Sequence, residues 1–420
     1  MKITMPLKTI KDAVEKASVG ALTKDAQDKL RKKLKPTDSC VKISANKGSV
    51  VCESSSPTAS AIHSIATGKD IVIVREGACC VEAGGYLKIL QALPKGCSVE
   101  VSQEDNKGCG NDYPGNRVIE PSGTITTVAF RNKKQLLVGH DDTYPVDGFT
   151  QVDYGHNKVL FSIQARLLAK CVGRVLFATD PKDISGLYDN VAIFDFNNKI
   201  HFMGTDGKRR AIFSVVADEK DCAIMSDGQE ILVGGKLLKN SCKSFGKGEI
   251  IDAIGCEDGE HVILAAENTK VRLRAATKEA RQKYPNAIDM LDLACPTSIV
   301  ADKEDLLEAV EVLSLRNPGN SIFHVKKGKS QIRIETADKG NDPDMAIVEC
   351  EPIAASLANP IALANEFVID GCKNIVGSRV KISFTKDEKR IRMESPRDAR
   401  FVYFFQASTA RGKLPIPDNG

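Results

Sequence analysis

Few stretches of this sequence combine the right residue types with the spacing that chemistry requires. Gly328-Lys329-Ser330 ends like a phosphate-binding loop, whose inward backbone N–H groups cradle phosphate oxygens. Such a loop needs a first glycine at the position Phe323 holds, and the segment lies between two strand patterns, so a hairpin turn is predicted. Gly108-Cys109-Gly110 opens no helical pattern, which removes the dinucleotide fingerprint. Asp338, Asp342 and Asp344 cluster with Gly340, Asn341 and Pro343; the ordered ligand spacing of a calcium loop is missing, which favours a solvated turn over a cation site. The thirteen cysteines include no C-x-x-C pair, and the six histidines are scattered singly without zinc spacing. Buried, reduced thiols are expected, with the adjacent Cys79 and Cys80 on opposite faces of a strand. No serine, cysteine or histidine stands in a nucleophile motif. The chain is read as a non-enzyme, with no metal and no cofactor.

The basic residues are more telling than the acidic ones. Arg166, Lys170 and Arg174 fall at i, i+4 and i+8, one stripe of a helix. Lys236, Lys239, Lys243 and Lys247 fall at i, i+3, i+7 and i+11, again one face. Lys8, Lys11, Lys16, Lys88 and Lys95 add to these near the N-terminus. One such stripe alone is ordinarily a solvated face; two in one stretch of chain point to a shared surface that meets an anion. Lysines without interleaved aromatics suit phosphate contacts, not the reading of bases. The total of 59 basic and 55 acidic residues, a net +4, is too even to announce a nucleic acid by itself.

These residues must be held by a sizeable fold. The chain has 420 residues, 42 % hydrophobic and 27 % charged, enough for a core and unlike a disordered or disulfide-stapled chain. No apolar run reaches the length that spans a bilayer, and Met1 to Leu7 lacks a signal peptide's apolar stretch, so a soluble, cytoplasmic protein is expected. Period-two alternation, as in Gln331-Ile332-Arg333-Ile334-Glu335, predicts half-buried antiparallel strands. Helical stripes occur at Leu7, Ile10, Val14 and Ala17, at Ile163, Leu167, Cys171 and Val172, and at Leu306, Leu307, Val310 and Leu313. A second set, Tyr86–Leu93, Lys236–Phe245 and Asn365–Val376, sits amid strands. Both sets recur at about a third of the chain length, which predicts three copies of a helix–strands–helix–strands unit, an α+β fold. Basic residues crowd 20–38 and Gly, Asn, Asp and Pro crowd 105–123, so both read as insertions in the first copy; the residues after Ser408 read as a tail.

In the second copy, Thr205-Asp206-Gly207-Lys208-Arg209-Arg210-Ala211 aligns with a family stretch ending T-D-G-H-R-L-A. Lys283-Tyr284-Pro285-Asn286 is similar to its F-P-D segment, Asn365 to Asp370 to a helix of its third domain, and Val402-Tyr403-Phe404-Phe405 to its last strand. By these motifs, and their order over nearly the whole chain, the sequence resembles the bacterial DNA polymerase III beta subunits, the sliding clamps. The match is strongest from Asn157 to Ser408 and weakest in the first copy.

The resemblance implies three tandem DNA-clamp domains at 1–150, 151–294 and 295–420, with helices inside and antiparallel sheets outside. It implies a head-to-tail dimeric ring around duplex DNA, without sequence preference and with no membrane contact. It further implies a replication processivity factor, cytoplasmic and at the replisome, that tethers a replicative polymerase and a clamp loader through short peptide motifs. The DNA-facing positions would be Lys24, Arg166, Lys170, Arg174, Lys182, Lys236, Lys239 and Lys243. The peptide pocket falls on Tyr188, Thr205, Gly207, Lys208, Arg209 and Arg210, with Pro285, Phe404, Phe405 and Gln406. Leu313 or Leu315 matches the dimer contact. Two departures bear on the pocket: the family has leucine at Arg210 and methionine at Gln406, so an apolar wall is partly polar here. The third copy's first helix carries Glu304, Asp305, Glu308 and Glu311, a poor phosphate contact. The alternatives are a clamp-fold scaffold that binds partners without encircling DNA, and a nucleotide-dependent enzyme using Gly328 to Ser330.

Overall fold

The computed structural model describes residues 1–22, 36–105, 123–132, 134–144, 146, 149–150, 152–154, 158–183, 185–217, 221–224, 230–286, 288–337 and 343–408. Its elements come in three rounds of one order, the third with one described strand fewer. The first round is β1 (Lys2–Pro6), α1 (Leu7–Ala17), β2 (Cys40–Asn46), β3 (Ser49–Ser55), β4 (Ala59–Ala66), β5 (Val72–Arg75), β6 (Gly77–Glu82), α2 (Ala83–Ala92), β7 (Ser98–Asp105), β8 (Gly123–Arg131) and β9 (Lys134–Tyr144). The second is β10 (Lys158–Gln164), α3 (Ala165–Val175), β11 (Asn190–Phe196), β12 (Lys199–Thr205), β13 (Arg209–Val216), β14 (Cys222–Ile224), β15 (Ile231–Gly234), α4 (Gly235–Ser241), β16 (Ile250–Gly255), β17 (His261–Ala266) and β18 (Thr269–Arg274). Two short helices, α5 (Lys278–Lys283) and α6 (Ile288–Leu291), lead to the third. It holds β19 (Thr297–Asp302), α7 (Lys303–Arg316), β20 (Asn320–His324), β21 (Gln331–Thr336), β22 (Met345–Glu349), β23 (Ile361–Ala364), α8 (Asn365–Asn374), β24 (Arg379–Phe384), β25 (Arg390–Ser395) and β26 (Asp398–Gln406).

Strand passes to helix without a linker in every round, and the sequence supplies the starts. Pro6 has no N–H to leave unsatisfied where α1 begins. The Glu82 carboxylate accepts the N–H groups of Gly84 and Gly85, which starts α2 earlier than Tyr86, where hydrophobic spacing alone places it. Asp302 does the same for α7, accepting from Glu304 N at 2.9 Å and Asp305 N at 3.3 Å. The buried faces are the predicted stripes: Leu7, Ile10, Val14 and Ala17 on α1, and Leu306, Val310 and Leu313 on α7. Cys79 and Cys80 are both buried in β6, and burial pushes both thiols up to about 12.

The chain packs as two compact units. One (Met1–Ala169, Asp218–Asp227 and Lys236–Lys278) is built on a sheet ordered β14-β10-β16-β17-β18-β4-β3-β2-β6-β9-β8-β7-β1-β5. The other (Lys170–Ala217, Gly228–Gly235 and Glu279–Gly420) has a sheet ordered β15-β11-β12-β13-β26-β25-β24-β19 and a smaller one, β22-β21-β20-β23. All described pairs are antiparallel. The last strand of one round thus joins the fourth strand of the round before: β18 pairs β4, with Val271 opposite Ala61, and β26 pairs β13, with Ala211 opposite Tyr403. The two-unit division cuts the second round between its two sheets.

The Gly328 turn is the predicted hairpin: β20 and β21 pair across it and Gly328 has φ +75°. Asp338 and Asp342 lie outside the described residues, while Asp344 pairs with Arg316 at 3.1 Å. Among the described residues no group of His, Cys, Asp and Glu is arranged to hold a metal, and no helix is long and apolar enough to cross a membrane.

Candidate functional site

The turn between β12 and β13 is assembled by local side chains. Asp206 Oδ1 accepts the N–H groups of Lys208 and Arg209, each at 2.9 Å, and Thr205 Oγ1 accepts from Gly207 N at 3.0 Å while donating to Arg209 O at 2.6 Å. Gly207 has φ +89°, and a Cβ there would lie 3.2 Å from the Tyr188 ring, so both backbone and space demand glycine. The loop carrying Tyr188 is tied by Asp183, whose Oδ2 accepts from Leu187 N at 2.9 Å and Tyr188 N at 2.7 Å. Ser185 donates to the same oxygen at 2.6 Å; this hydroxyl and the backbone donors hold the Asp183 pKa down to about 2.

From that turn β13 runs beside β26, and register decides which side chains share a face. Directly opposite residues lie on one face of an antiparallel pair. Arg210 opposes Phe404, which opposes Arg392 of β25; Gln406 opposes Arg390 two residues before. Gly207, Lys208, Arg210, Phe404, Phe405 and Gln406 line one pocket, joined by Met290 of α6 and Arg390. The side chain of Arg210 is half-buried, and its pKa is lowered by burial and by the Arg390 charge.

The neighbouring Arg209 meets a different environment. It donates from Nε to Asp206 Oδ2 at 2.9 Å and from Nη1 to Asp370, and its guanidinium lies 5.2 Å over the Phe367 ring. Burial works against its charge, but Tyr403, Asp206 and Asp370 more than offset that, and its pKa is raised. Thr205 is buried in the turn, Tyr188 packs on Gly207, and Pro285 is half-buried after α5; none of these, nor Arg209, is among the residues lining the pocket. Met290 and Arg390 were missed by sequence reasoning. Arg390 follows from the pairing of β25 with β26, whereas α6 is too short for any periodic signal.

The expected phosphate-facing residues divide. Arg166 and Lys170 are exposed on α3, and Lys182, Lys236, Lys239 and Lys243 are exposed as well. Arg174 leaves the stripe: its guanidinium lies 5.0 Å over the Phe401 ring and 5.9 Å over Phe213, and burial lowers its pKa. Lys243 sits in a single 3-10 turn after α4, and Lys247 lies beyond it, so the second stripe is shorter than its spacing predicts. Lys24 lies outside the described residues.

Leu313 and Leu315 are resolved by burial. Leu313 is 2 % exposed and belongs to the core, which corrects it as a contact residue, whereas Leu315 is 85 % exposed. Val312 of α7 and Met345 and Ile347 of β22 are also more than half exposed. The edge strand β22 pairs only with β21 among the described residues. On β9, β8 occupies one side; on the other, a described strand pairs only at Thr143 and Tyr144, with Val81 and Cys80.

Antiparallel sheets joined round to round by their last strands, with two helices per round, define the DNA-clamp fold. More narrowly, the chain has the fold of the bacterial DNA polymerase III beta subunit, the sliding clamp. The beta subunit of Pseudomonas aeruginosa superposes with TM-score 0.76 at 15 % identity, covering 97 % of this chain and 100 % of that one. A putative beta subunit of Eubacterium rectale gives 0.74 at 16 % identity, with 97 % and 100 % covered. The Thermotoga maritima beta subunit gives 0.74 at 15 %, with 97 % and 99 % covered. No protein-family model and no curated protein sequence matches the chain.

Proposed function

We propose that this chain is a DNA sliding clamp, a non-catalytic processivity factor that closes into a dimeric ring on duplex DNA and tethers a polymerase. Its domains are 1–150, 151–294 and 295–420, one per round of elements. The observation that carries this reading is a joint made twice and left open once. In β18·β4 and β26·β13 the last strand of one round completes the sheet of the round before. The third such pair would be β9 with β22, and β22 is an apolar-faced edge. A second chain offers its β9 to this β22 and receives the reverse, a heterologous contact that closes at two subunits. Leu315 and Val312 beside β22 would be covered at that contact.

The lining is Arg166, Lys170, Lys182, Lys236, Lys239 and Lys243, which meet phosphates without reading bases. A modest net charge suits this work, because a closed ring retains DNA by topology and tight contacts would act as a brake. The pocket at Gly207, Phe404 and Gln406 takes a short peptide from the polymerase or clamp loader. The protein acts in the cytoplasm, at the replisome.

The test is retention on nicked circular DNA and release when the circle is cut to a linear form, with light scattering to give the mass. A species near twice 45.5 kDa that slides off ends is expected. A monomer that binds polymerase but is not retained on circles would overturn the ring and leave a scaffold.

A further inference from the structure

Three arginines stand on one face of the β13-β26-β25 sheet, and their charges are answered unequally. Arg392 donates to Glu394 Oε2 from Nη2 at 2.7 Å and from Nε at 3.1 Å, and also to Leu291 O at 3.4 Å. Among the described residues neither Arg210 nor Arg390 makes an ion pair with a carboxylate, although the Arg390 charge helps to lower the Asp387 pKa. Arg390 donates from Nη1 to Met290 Sδ, at 3.7 Å. Both belong to the pocket, and the Arg390 charge acts unfavourably on the half-buried Arg210. Two guanidiniums without an ion pair, beside the buried Phe404 and Met290 that line the same pocket, make a site that favours an anion. On the opposite face the same strand shows the contrast, since Arg209 is held by Asp206 and Asp370.

We propose that this pocket selects partner segments that place an Asp or Glu side chain between Arg210 and Arg390, next to an apolar anchor resting on Phe404 and Met290. The inference rests on the pocket reading above and names the partner's chemistry. The incoming carboxylate does at Arg210 and Arg390 what Glu394 does at Arg392. An extended segment suits the site, because alternate residues of a strand-like peptide present the anchor to one side while the residue beside it reaches the rim.

Two peptides with the same apolar anchor and amidated C-termini, one with Glu and one with Gln beside the anchor, are titrated calorimetrically into the full chain. Amidation removes the terminal carboxylate as a rival source of charge. The Glu peptide is expected to bind about tenfold tighter at low ionic strength, the worth of one charge-assisted hydrogen bond, and the advantage shrinks in high salt. In Arg210→Leu/Arg390→Gln the ratio of the two affinities falls to about one, and Arg210→Lys restores part of it. Equal binding of both peptides to the unmodified chain overturns the charge selection while leaving the pocket. A preference that persists in the double variant also overturns it. If neither peptide binds the unmodified chain, the pocket reading itself fails, and this inference with it.

Discussion

His63 of β4 and Thr269 of β18 are register partners, and their side chains share a hydrogen bond of 2.8 Å between Nδ1 and Oγ1. The pair sits where the last strand of the second round completes the sheet of the first. Burial chiefly, and the Lys16 charge next, lower the His63 pKa; Asp12 and Glu249 oppose this without reversing it. The folded joint therefore prefers neutral imidazole.

The sign of the pH dependence follows. Below about pH 6.5 the unfolded chain binds a proton at this position that the folded site resists, so stability is full above that pH and falls as pH drops toward the lower folded value. His201, buried against Ser214 Oγ at 2.8 Å, has its pKa lowered in the same direction, again chiefly by burial. Melting between pH 7.5 and 5.5 is expected to show a smaller loss of Tm in His63→Gln than in the unmodified chain. Identical losses would show that His63 contributes nothing to acid sensitivity.

Much of this fold is legible in the sequence because it is local. The stripe Leu306, Val310, Leu313 and the alternation of Gln331 to Ile334 report which face is buried without reference to anything distant. The turn at Thr205 to Arg209 is legible too, being closed by its own side chains. What escapes the sequence depends on partners far along the chain. Arg174 continues a basic stripe by spacing, yet Phe401 draws its guanidinium away from that face. Arg390 enters the pocket only because β25 pairs with β26, and Met290 only because a helix of one turn sets it there. Of the pocket residues expected, Arg209 and Arg210 read alike in sequence; the side of the strand on which carboxylates wait separates them.

Gly204 offers a test of packing that involves no binding. A Cβ at this residue of β12 would lie 2.3 Å from Val175 O at the end of α3, and the contact is backbone, which cannot swing aside. Gly204→Ala is expected to cost about 2 kcal/mol, within the usual range for overpacking, or to shift α3 outright. Denaturant unfolding measures the loss; an unchanged midpoint would mean that α3 is free to move.

The lining prediction rests on exposed lysines at one place. Lys236 stands in α4 and Lys243 in the 3-10 turn that follows it, and both are exposed. Lys236→Glu with Lys243→Glu is expected to weaken DNA association and to reduce the slope of log K against log salt by about 0.9 for each phosphate that the protein no longer neutralises. The melting profile should not change, since neither side chain packs in the core. A dimeric variant with unaltered binding and salt slope would place these lysines in bulk solvent.

Leu313 and Leu315 give the sharpest separation of folding from assembly, because they are two residues apart on α7 and differ completely in burial. Truncating Leu313, a core residue, to Ala is expected to cost about 2–5 kcal/mol through lost burial and the cavity left behind. Leu315→Ala should cost the isolated chain almost nothing, since its side chain already meets water. Assembly reverses the order. Beside Met345 and Ile347 on the open edge of β22, Leu315 would be covered only by a second chain, so Leu315→Glu places a charge in the contact and should yield a folded monomer. Light scattering combined with thermal melting reads both properties in one sample. A Leu315→Glu protein that melts normally and remains a dimer would move the contact away from this edge, and the ring reading would lose its closing joint.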